Sequence, residues 1–394
     1  MTGDDRAGRR ARICHIITQL ELGGAQQNTL HTVAHLDRRR FQVSLVSGRG
    51  GQLDGEAAAI PDLETHFLPE LAREVAPAKD VRALVRLVSL LRRLKPDLVH
   101  THSSKAGILG RWAAHLAGVP VIVHTIHGFG FHAEMPRFRR CIFQALEART
   151  APLTTRFLAV SRANLEAGVR AGIFPPDKVK LVRSGVVLSA FQNGAAPGSL
   201  RADLGIPPKA PVAGMVACLK PQKAPVDFVA AAGWVSRRVP EAHFLLVGDG
   251  ILREAVEGEV ERLGLSSRFH LLGWRRDIPV IFKNLDLVVL TSIWEGLPRV
   301  VPEAMAAGLP VLATRVDGTP EAVREGETGF LVEPHDIETL SERMVWLMTH
   351  RDAARVMGGR GRLFVQEFDI EAMVRQQEIL YGELLGPDTP RWEE

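Results

Sequence analysis

The chain has 394 residues, 46% of them hydrophobic and 24% charged, enough to fill more than one core and unlike a disordered or fibrous composition. Its three cysteines, Cys14, Cys141 and Cys218, lie far apart without a CxxC pair, which argues against a disulfide framework or thiolate zinc site and for a reducing compartment. No run of about eighteen apolar residues occurs, and the N-terminal MTGDDRAGRRAR lacks the apolar centre of a signal peptide. A cytoplasmic protein is expected, with peripheral attachment to the inner face of the cytoplasmic membrane as an added option. The net charge of +4 conceals an asymmetry. Residues 1–190 carry 27 Lys and Arg against 16 Asp and Glu, and residues 191–394 carry 22 against 29. A basic half fits an anionic partner such as phospholipid, a lipid-linked diphosphate or nucleic acid. Solvated helix surface is the alternative use of that charge.

Along the chain, Arg12–Leu20 reads as a buried strand, followed by a Gly-Gly turn and a helix from about Ala25 to Leu36. Phe41–Ser47 is a second strand, and Asp80–Leu94 carries leucine and valine at helical spacing. Asp97–Thr101, Val121–His127 and Phe157–Ser161 are further apolar strands. This alternation predicts a doubly wound parallel α/β sheet. Residues 189–210 are rich in Gly, Pro and Ala and read as a linker. A second β/α series follows over residues 211–369, with strands at Val212–Leu219, His243–Val247, Phe269–Leu272, Leu287–Thr291 and Val311–Thr314. The organisation is therefore a Rossmann-like domain over 1–188, the linker, a second such domain over 211–369, a C-terminal helix over 370–386 expected to return to the first domain, and a tail over 387–394. Two such domains are expected to face a ligand-binding cleft at the carboxyl ends of their strands.

Four segments carry candidate chemistry. Ser292-Ile-Trp-Glu295-Gly-Leu-Pro-Arg-Val-Val-Pro-Glu303-Ala-Met-Ala-Ala-Gly308 follows a strand and opens a helix at about Pro302. Free amides at a helix start suit a diphosphate. Glu295 and Glu303, eight positions apart, suit sugar and ribose hydroxyls. A helix start with favourable acidic charge is the plainer reading. Gly23-Gly24 after the first strand lets backbone approach phosphate, or makes an ordinary tight turn, and is not a GxGxxG fingerprint. Cys218-Leu-Lys220-Pro-Gln-Lys223-Ala224 follows the first strand of the second domain. His124-Thr-Ile-His127-Gly128 ends a first-domain strand, which puts His127 at its carboxyl edge. His124, three positions earlier, reads as core. His100 and His102 share one strand face, but a metal site would need a third ligand that the sequence does not identify.

The pattern SxxEGLPxxxxEAMAxG resembles the retaining glycosyltransferases of family 4, which have the GT-B fold, and the resemblance runs from about Ile13 to Tyr381. It implies that Glu295 contacts the donor sugar, that Glu303 holds the ribose, and that the backbone of Gly296, Leu297, Pro298, Arg299 and Val300 lines the sugar-diphosphate site. Gly23 and Gly24 match the family's first glycine-rich loop, Lys223 its diphosphate lysine, and His127 its active-site histidine. Cys218 stands where that family has arginine, and Ala224 where it has glycine. Lys220 and Arg299 are then the nearest candidates for the missing cation. The resemblance implies no metal and no cofactor, and no DxD triplet suited to a metal-diphosphate site occurs. It implies transfer of a hexosyl or related sugar, with retention, from a UDP- or GDP-sugar to a glycan or lipid-linked acceptor. The segment from His100 to Phe131 is similar to the capsular and exopolysaccharide branch. A nucleotide-sugar epimerase of the same fold and a non-catalytic nucleotide-sugar-binding protein are the rival readings. Pro136–Pro152 interleaves Arg137, Arg139, Arg140 and Arg149 with Phe138, Ile142, Phe143 and Leu146. Its apolar face is expected to pack on the first sheet, with an anionic membrane surface as the alternative. Nucleic acid is not an expected partner, because no binding motif accompanies the basic residues.

Overall fold

Every named strand in the described residues is short and parallel to its sheet neighbours. The structure, a computed structural model, describes residues 9–132, 134–193 and 200–386. The chain divides into one unit of residues 1–184 and 371–394 and a second of residues 185–370.

In the first unit, β1 (Ala11–Ile16), β2 (Phe41–Ser47), β3 (Leu63–Phe67), β4 (Leu98–His102), β5 (Val121–Ile126), β6 (Arg156–Ala159) and β7 (Val179–Leu181) form one sheet in the order β3-β2-β1-β4-β5-β6-β7. Parallel pairing requires crossovers over the faces, so the central strands are buried on both sides and read as apolar runs. Helix Pro77–Leu94 is one such cover. Proline sits in its first turn, and Ala83, Leu87, Leu90 and Leu91 are buried at helical spacing beside Cys14, Ile16 and Val99 of the sheet. The edge strands β3 and β7 lie outside the sequence expectation. LETHF and VKL are short, half-exposed and interrupted by charged or polar residues, so they lack the apolar run that marks an inner strand.

The second unit repeats the design with β8 (Val212–Val216), β9 (His243–Val247), β10 (Phe269–Gly273), β11 (Leu287–Leu290), β12 (Val311–Thr314) and β13 (Gly329–Val332), ordered β10-β9-β8-β11-β12-β13. Its core gathers Phe228, Phe244 and Phe269 with Met344 and Leu347 from helix Ile337–Thr349. The two units meet in sequence at Ser184 and Gly185, a few residues before the expected boundary at 188. Part of the expected linker is helical, over Leu188–Gln192 and Leu200–Asp203, because Leu188, Phe191 and Leu200 are buried and Phe191 packs on Phe282 at 5.6 Å. The expected tail, 387–394, lies outside the described residues.

Helix Ile370–Leu384 contributes to the first unit from Glu371 onward. The Asp37 N–H donates to Glu378 Oε1 at 2.7 Å, and Tyr381 is fully buried. Helix Arg137–Thr150 corrects an expectation. Three of its four large apolar residues face outward, Phe138 77% exposed, Ile142 42% and Leu146 43%, and only Phe143 is half-buried. The inward face is instead held by Glu147, the helix's one acid, which binds the fully buried Arg111 at 2.6 Å. A buried guanidinium without that carboxylate would be costly, so the pair dictates which face turns in.

The first sheet also buries His15, His100, His102 and His124, with His127 just beyond β5. Burial holds His15 down to about 3 and His127 down to about 4, and holds His100, His102 and His124 well below the ordinary range. Neighbouring positive charge adds to the effect, from Arg38 at His15 and from Arg111 at His124.

Two predictions follow from this layout. The rings titrate near 6.5 when unfolded. Their contribution is fully present above that pH and is lost as pH falls toward 4 and then 3, because unfolding then takes up protons. The slope is about 1.4 kcal/mol per pH unit for each ring. Urea unfolding of the full chain at pH 7.5 and 5.5 is expected to show a lower stability at pH 5.5, by about 3 kcal/mol from His15 and His127 alone. Equal stabilities at the two pH values would contradict neutral buried rings. Separately, Ala224 adopts φ +41° and ψ 52° at the start of helix Pro225–Val235, a conformation that costs an L-residue with a Cβ. Ala224→Gly is expected to raise the stability of the second unit by about 1 kcal/mol in the same assay.

Candidate active site

In a doubly wound sheet the crossovers diverge where the strand order reverses, leaving room at the carboxyl ends of the two flanking strands. In the second unit that switch lies between β8 and β11. The loops leaving those strands carry Lys223 and Glu295, and they are tied together. The Ile293 N–H donates to Gln222 O at 2.8 Å, and Gln222 Nε2 returns a bond to Trp294 O at 2.8 Å. Thr291 Oγ1 donates to the carbonyls of Lys223 and Ala224 at 2.8 and 2.9 Å.

On this base Lys223 Nζ forms an ion pair with Glu295 Oε1. Ser292 Oγ donates to the same carboxylate oxygen at 2.6 Å, and Asp317 Oδ2 accepts the Glu295 N–H at 2.7 Å. Glu295 is only 7% exposed, so these partners hold its orientation against rotation. Gln222 was not predicted from the sequence because it acts through a contact between loops 72 residues apart, whereas Ser292 reaches Glu295 from three residues earlier on the same loop. Asp317 has a φ of +40°, a left-handed conformation that aspartate tolerates better than most residues, and its carboxylate caps the Glu295 amide.

The helix expected at about Pro302 spans Val300–Ala306, starting two residues earlier, with Glu303 in its first turn. Arg299 Nε donates to Gly185 O at 3.0 Å, and its Nη2 lies 3.4 Å from Glu303 Oε1. Burial raises the Glu303 carboxyl pKa and lowers that of Arg299, and each partner's charge opposes the other's shift. The Arg299 charge is thus already matched by Glu303. Gly296, Leu297 and Pro298 are buried, while Arg299 and Val300 are partly exposed.

In the first unit the switch lies between β1 and β4. Gly23 caps helix Gly24–His35 with an extended φ of −153°, and a Cβ there would meet only the flexible end of Gln26. The fold alone therefore does not demand glycine at 23. His127 follows β5, with Gly128 at φ +130° turning the chain after it. Its Nε2 is 3.1 Å from His102 Nδ1. His102 and His127 line a small cavity with the polar Asn28, Thr32, Thr125 and Ser184 and the apolar Leu158, Val160, Val182 and Met373. Asn28 is 2% exposed, and neither side-chain amide atom has a hydrogen-bond partner among the described residues. No sequence motif marks Asn28, which lies within helix Gly24–His35. His124 is committed to Thr101, at 2.9 Å to Oγ1 and 3.1 Å to the carbonyl. The third histidine that the sequence did not identify beside His100 and His102 is His15, brought from β1 by strand pairing.

Residues 22–190 match the model of Glycosyltransferase Family 4, and residues 198–364 match that of Glycosyl transferases group 1. The chain is 35% identical over 381 residues to the UDP-Gal:alpha-D-GlcNAc-diphosphoundecaprenol alpha-1,3-galactosyltransferase of Escherichia coli, covering 95% of this chain and 98% of that one. Among solved structures, HepE of Anabaena in complex with UDP and glucose aligns with a TM-score of 0.81 at 22% identity, over 95% of this chain and all of that one. Sucrose-phosphate synthase of Thermosynechococcus elongatus aligns with a TM-score of 0.83 at 23% identity, over 95% and 99%. With both units matched by family models and a 35% identical galactosyltransferase spanning nearly its whole length, this chain belongs to family 4 of the glycosyltransferases and is an enzyme of the GT-B fold.

Proposed function

We propose that this glycosyltransferase moves a hexosyl group from a UDP-sugar to a lipid-linked or glycan acceptor, with retention of configuration and without a metal ion, in the assembly of a surface polysaccharide. The observation that carries the donor assignment is the Lys223–Glu295 pair, held at the switch point of the second sheet by interlocked loops. The 35% identical E. coli galactosyltransferase supports both the UDP-hexose and the diphospholipid acceptor. The alternative GDP donor has no such support.

In this reading Glu295 accepts hydrogen bonds from the donor sugar's hydroxyls and Glu303 from the ribose. Lys223 and the backbone amides from Gly296 to Val300, through Leu297, Pro298 and Arg299, stabilise charge on the departing diphosphate. Proline contributes only its carbonyl and ring to that wall. Gly23 and Gly24 leave room for phosphate, which accounts for a glycine the fold does not require at 23. His127 bonds a substrate hydroxyl. The bond from the anomeric carbon to the phosphate oxygen breaks, and a bond to the acceptor oxygen forms on the same face. The acceptor's proton passes to the departing phosphate oxygen. The protein supplies position and electrostatics rather than a nucleophile.

Thermal-shift titration with UDP-, GDP-, ADP- and TDP-sugars in EDTA is expected to show selective binding of the UDP-sugar. Glu303→Ala is expected to weaken it about tenfold, equivalent to about 1.4 kcal/mol. Proton NMR of the transfer product in EDTA is expected to show the donor's anomeric configuration. Folded wild-type protein that binds none of these nucleotides would overturn the donor assignment, and an inverted product would overturn retention.

Membrane attachment at the inner face is part of the same proposal. Helix Arg137–Thr150 turns Phe138, Ile142 and Leu146 outward at a four-residue spacing, flanked by exposed Arg137, Arg139 and Arg149, while its one acid is buried against Arg111. Exposed Trp112 and Leu116 of helix Ser104–Ala117 add to the apolar surface of the same unit. A basic helix with an outward apolar stripe suits an anionic bilayer. Sedimentation with vesicles containing phosphatidylglycerol is expected to capture the chain and release it at high salt. Replacing Arg137 and Arg139 by Ala together is expected to weaken capture about thirtyfold, from about 1 kcal/mol per basic residue. Equal capture by neutral vesicles would remove the electrostatic basis.

A further inference from the structure

A chain of seven hydrogen-bonding side chains of the first unit runs from His127 into the protein interior. His127 Nε2 lies 3.1 Å from His102 Nδ1, and His102 Nε2 lies 3.0 Å from His15 Nδ1. His15 Nε2 lies 3.5 Å from the Tyr381 hydroxyl. That hydroxyl also meets His100 Nδ1 at 2.5 Å and Gln377 Oε1 at 3.2 Å. His100 continues through Nε2 to Thr125 Oγ1 at 2.6 Å. His15, His100, His102 and Tyr381 are all buried. Both nitrogens of His15 and of His102 are therefore engaged within the chain of contacts.

We infer that Tyr381, His15 and His102 act as positioning residues that set the tautomer of His127, with the proton on Nε2 and a bare, proton-accepting Nδ1. A neutral imidazole has one N–H and one lone pair, so each ring passes a single direction to the next. Burial keeps these rings neutral near pH 7. The direction is set at Tyr381, which has one proton. His100 Nδ1 and Gln377 Oε1 are both nearer acceptors than His15, so the phenolic proton goes to one of them. The long contact to His15 is then a bond in which His15 Nε2–H donates. His15 Nδ1 must accept from His102 Nε2–H, and His102 Nδ1 must accept from His127 Nε2–H. The remaining nitrogen of His127, Nδ1, carries the lone pair.

The inference deepens the proposed role of His127 and rests on it. It assigns that ring as an acceptor of a substrate hydroxyl's hydrogen bond rather than a donor. It also explains why the C-terminal helix carries a buried tyrosine: Tyr381, with Gln377 one turn earlier, anchors the relay from Ile370–Leu384. A metal centre at His15, His100 and His102 is the competing use, since one nitrogen from each lies within 4.8 Å of the others. Such an ion would have to displace the His15–His102 bond or the short bonds of His100 to Tyr381 and Thr125.

The test is long-range proton–nitrogen NMR of the full chain labelled with nitrogen-15 histidine at pH 7.5, with His127 assigned by its loss in His127→Gln. Wild type is expected to show His15, His102 and His127 each protonated at Nε2 and bare at Nδ1. A wild-type His127 protonated at Nδ1 would overturn the relay, and the tautomer itself is read on the wild-type chain. Tyr381→Phe keeps the ring and removes the hydroxyl. It is expected to shift His127 to a mixture of tautomers and to lower kcat about tenfold, with the donor KM changed less than twofold. An unchanged His127 tautomer in folded Tyr381→Phe would also overturn the relay. Zinc added to wild type is expected to leave the His15 and His102 nitrogens unmoved, and metal-induced shifts there would favour the competing centre. If His127→Gln turns over normally, the catalytic role of His127 fails, while the tautomer pattern is decided by NMR alone.

Discussion

A parallel sheet sends every strand's carboxyl end to the same edge, because each crossover must return over a face before the next strand begins. Both units obey this constraint, and each reverses its winding once, between β1 and β4 in one and between β8 and β11 in the other. The chemistry follows from it. His15 and His102 lie in the carboxyl-terminal halves of the first pair, and Lys223 and Glu295 lie on the loops that leave the second. Most other strand residues before those edges serve packing and are apolar, with His100 and His124 among the polar exceptions in the first sheet.

The two units solve the burial of polar groups differently. The second unit uses opposed charges, Lys223 with Glu295 and Arg299 with Glu303. Breaking either pair from one side would leave a partly buried charge uncompensated. The first sheet uses neutral imidazoles, whose requirement is a partner for each nitrogen rather than a counter-charge. The ion pairs therefore preset the electrostatics of the loops that leave β8 and β11, whereas in the inferred relay the histidines transmit a direction of hydrogen bonding. Arg111 and Glu147 show a third use of buried charge. Their pairing turns one face of helix Arg137–Thr150 inward and leaves its arginines and apolar stripe outside.

The sequence by itself determined the doubly wound class, the inner strands and the candidate donor segment. Inner parallel strands are apolar runs at regular intervals, as in β2, β9 and β12, and the Ser292–Gly308 segment keeps its chemistry within a few turns of chain. The tertiary structure alone decided the edge strands β3, β7 and β13, the first two of which are half-exposed and carry no such run. It alone placed Gln222 and Asp317 around Glu295, and Asn28 beside His127, because those contacts join positions distant along the chain. It also reversed the expected packing of Phe138, Ile142 and Leu146. Helical periodicity identifies an apolar face, but which face is covered depends on where a buried Arg111 finds its carboxylate.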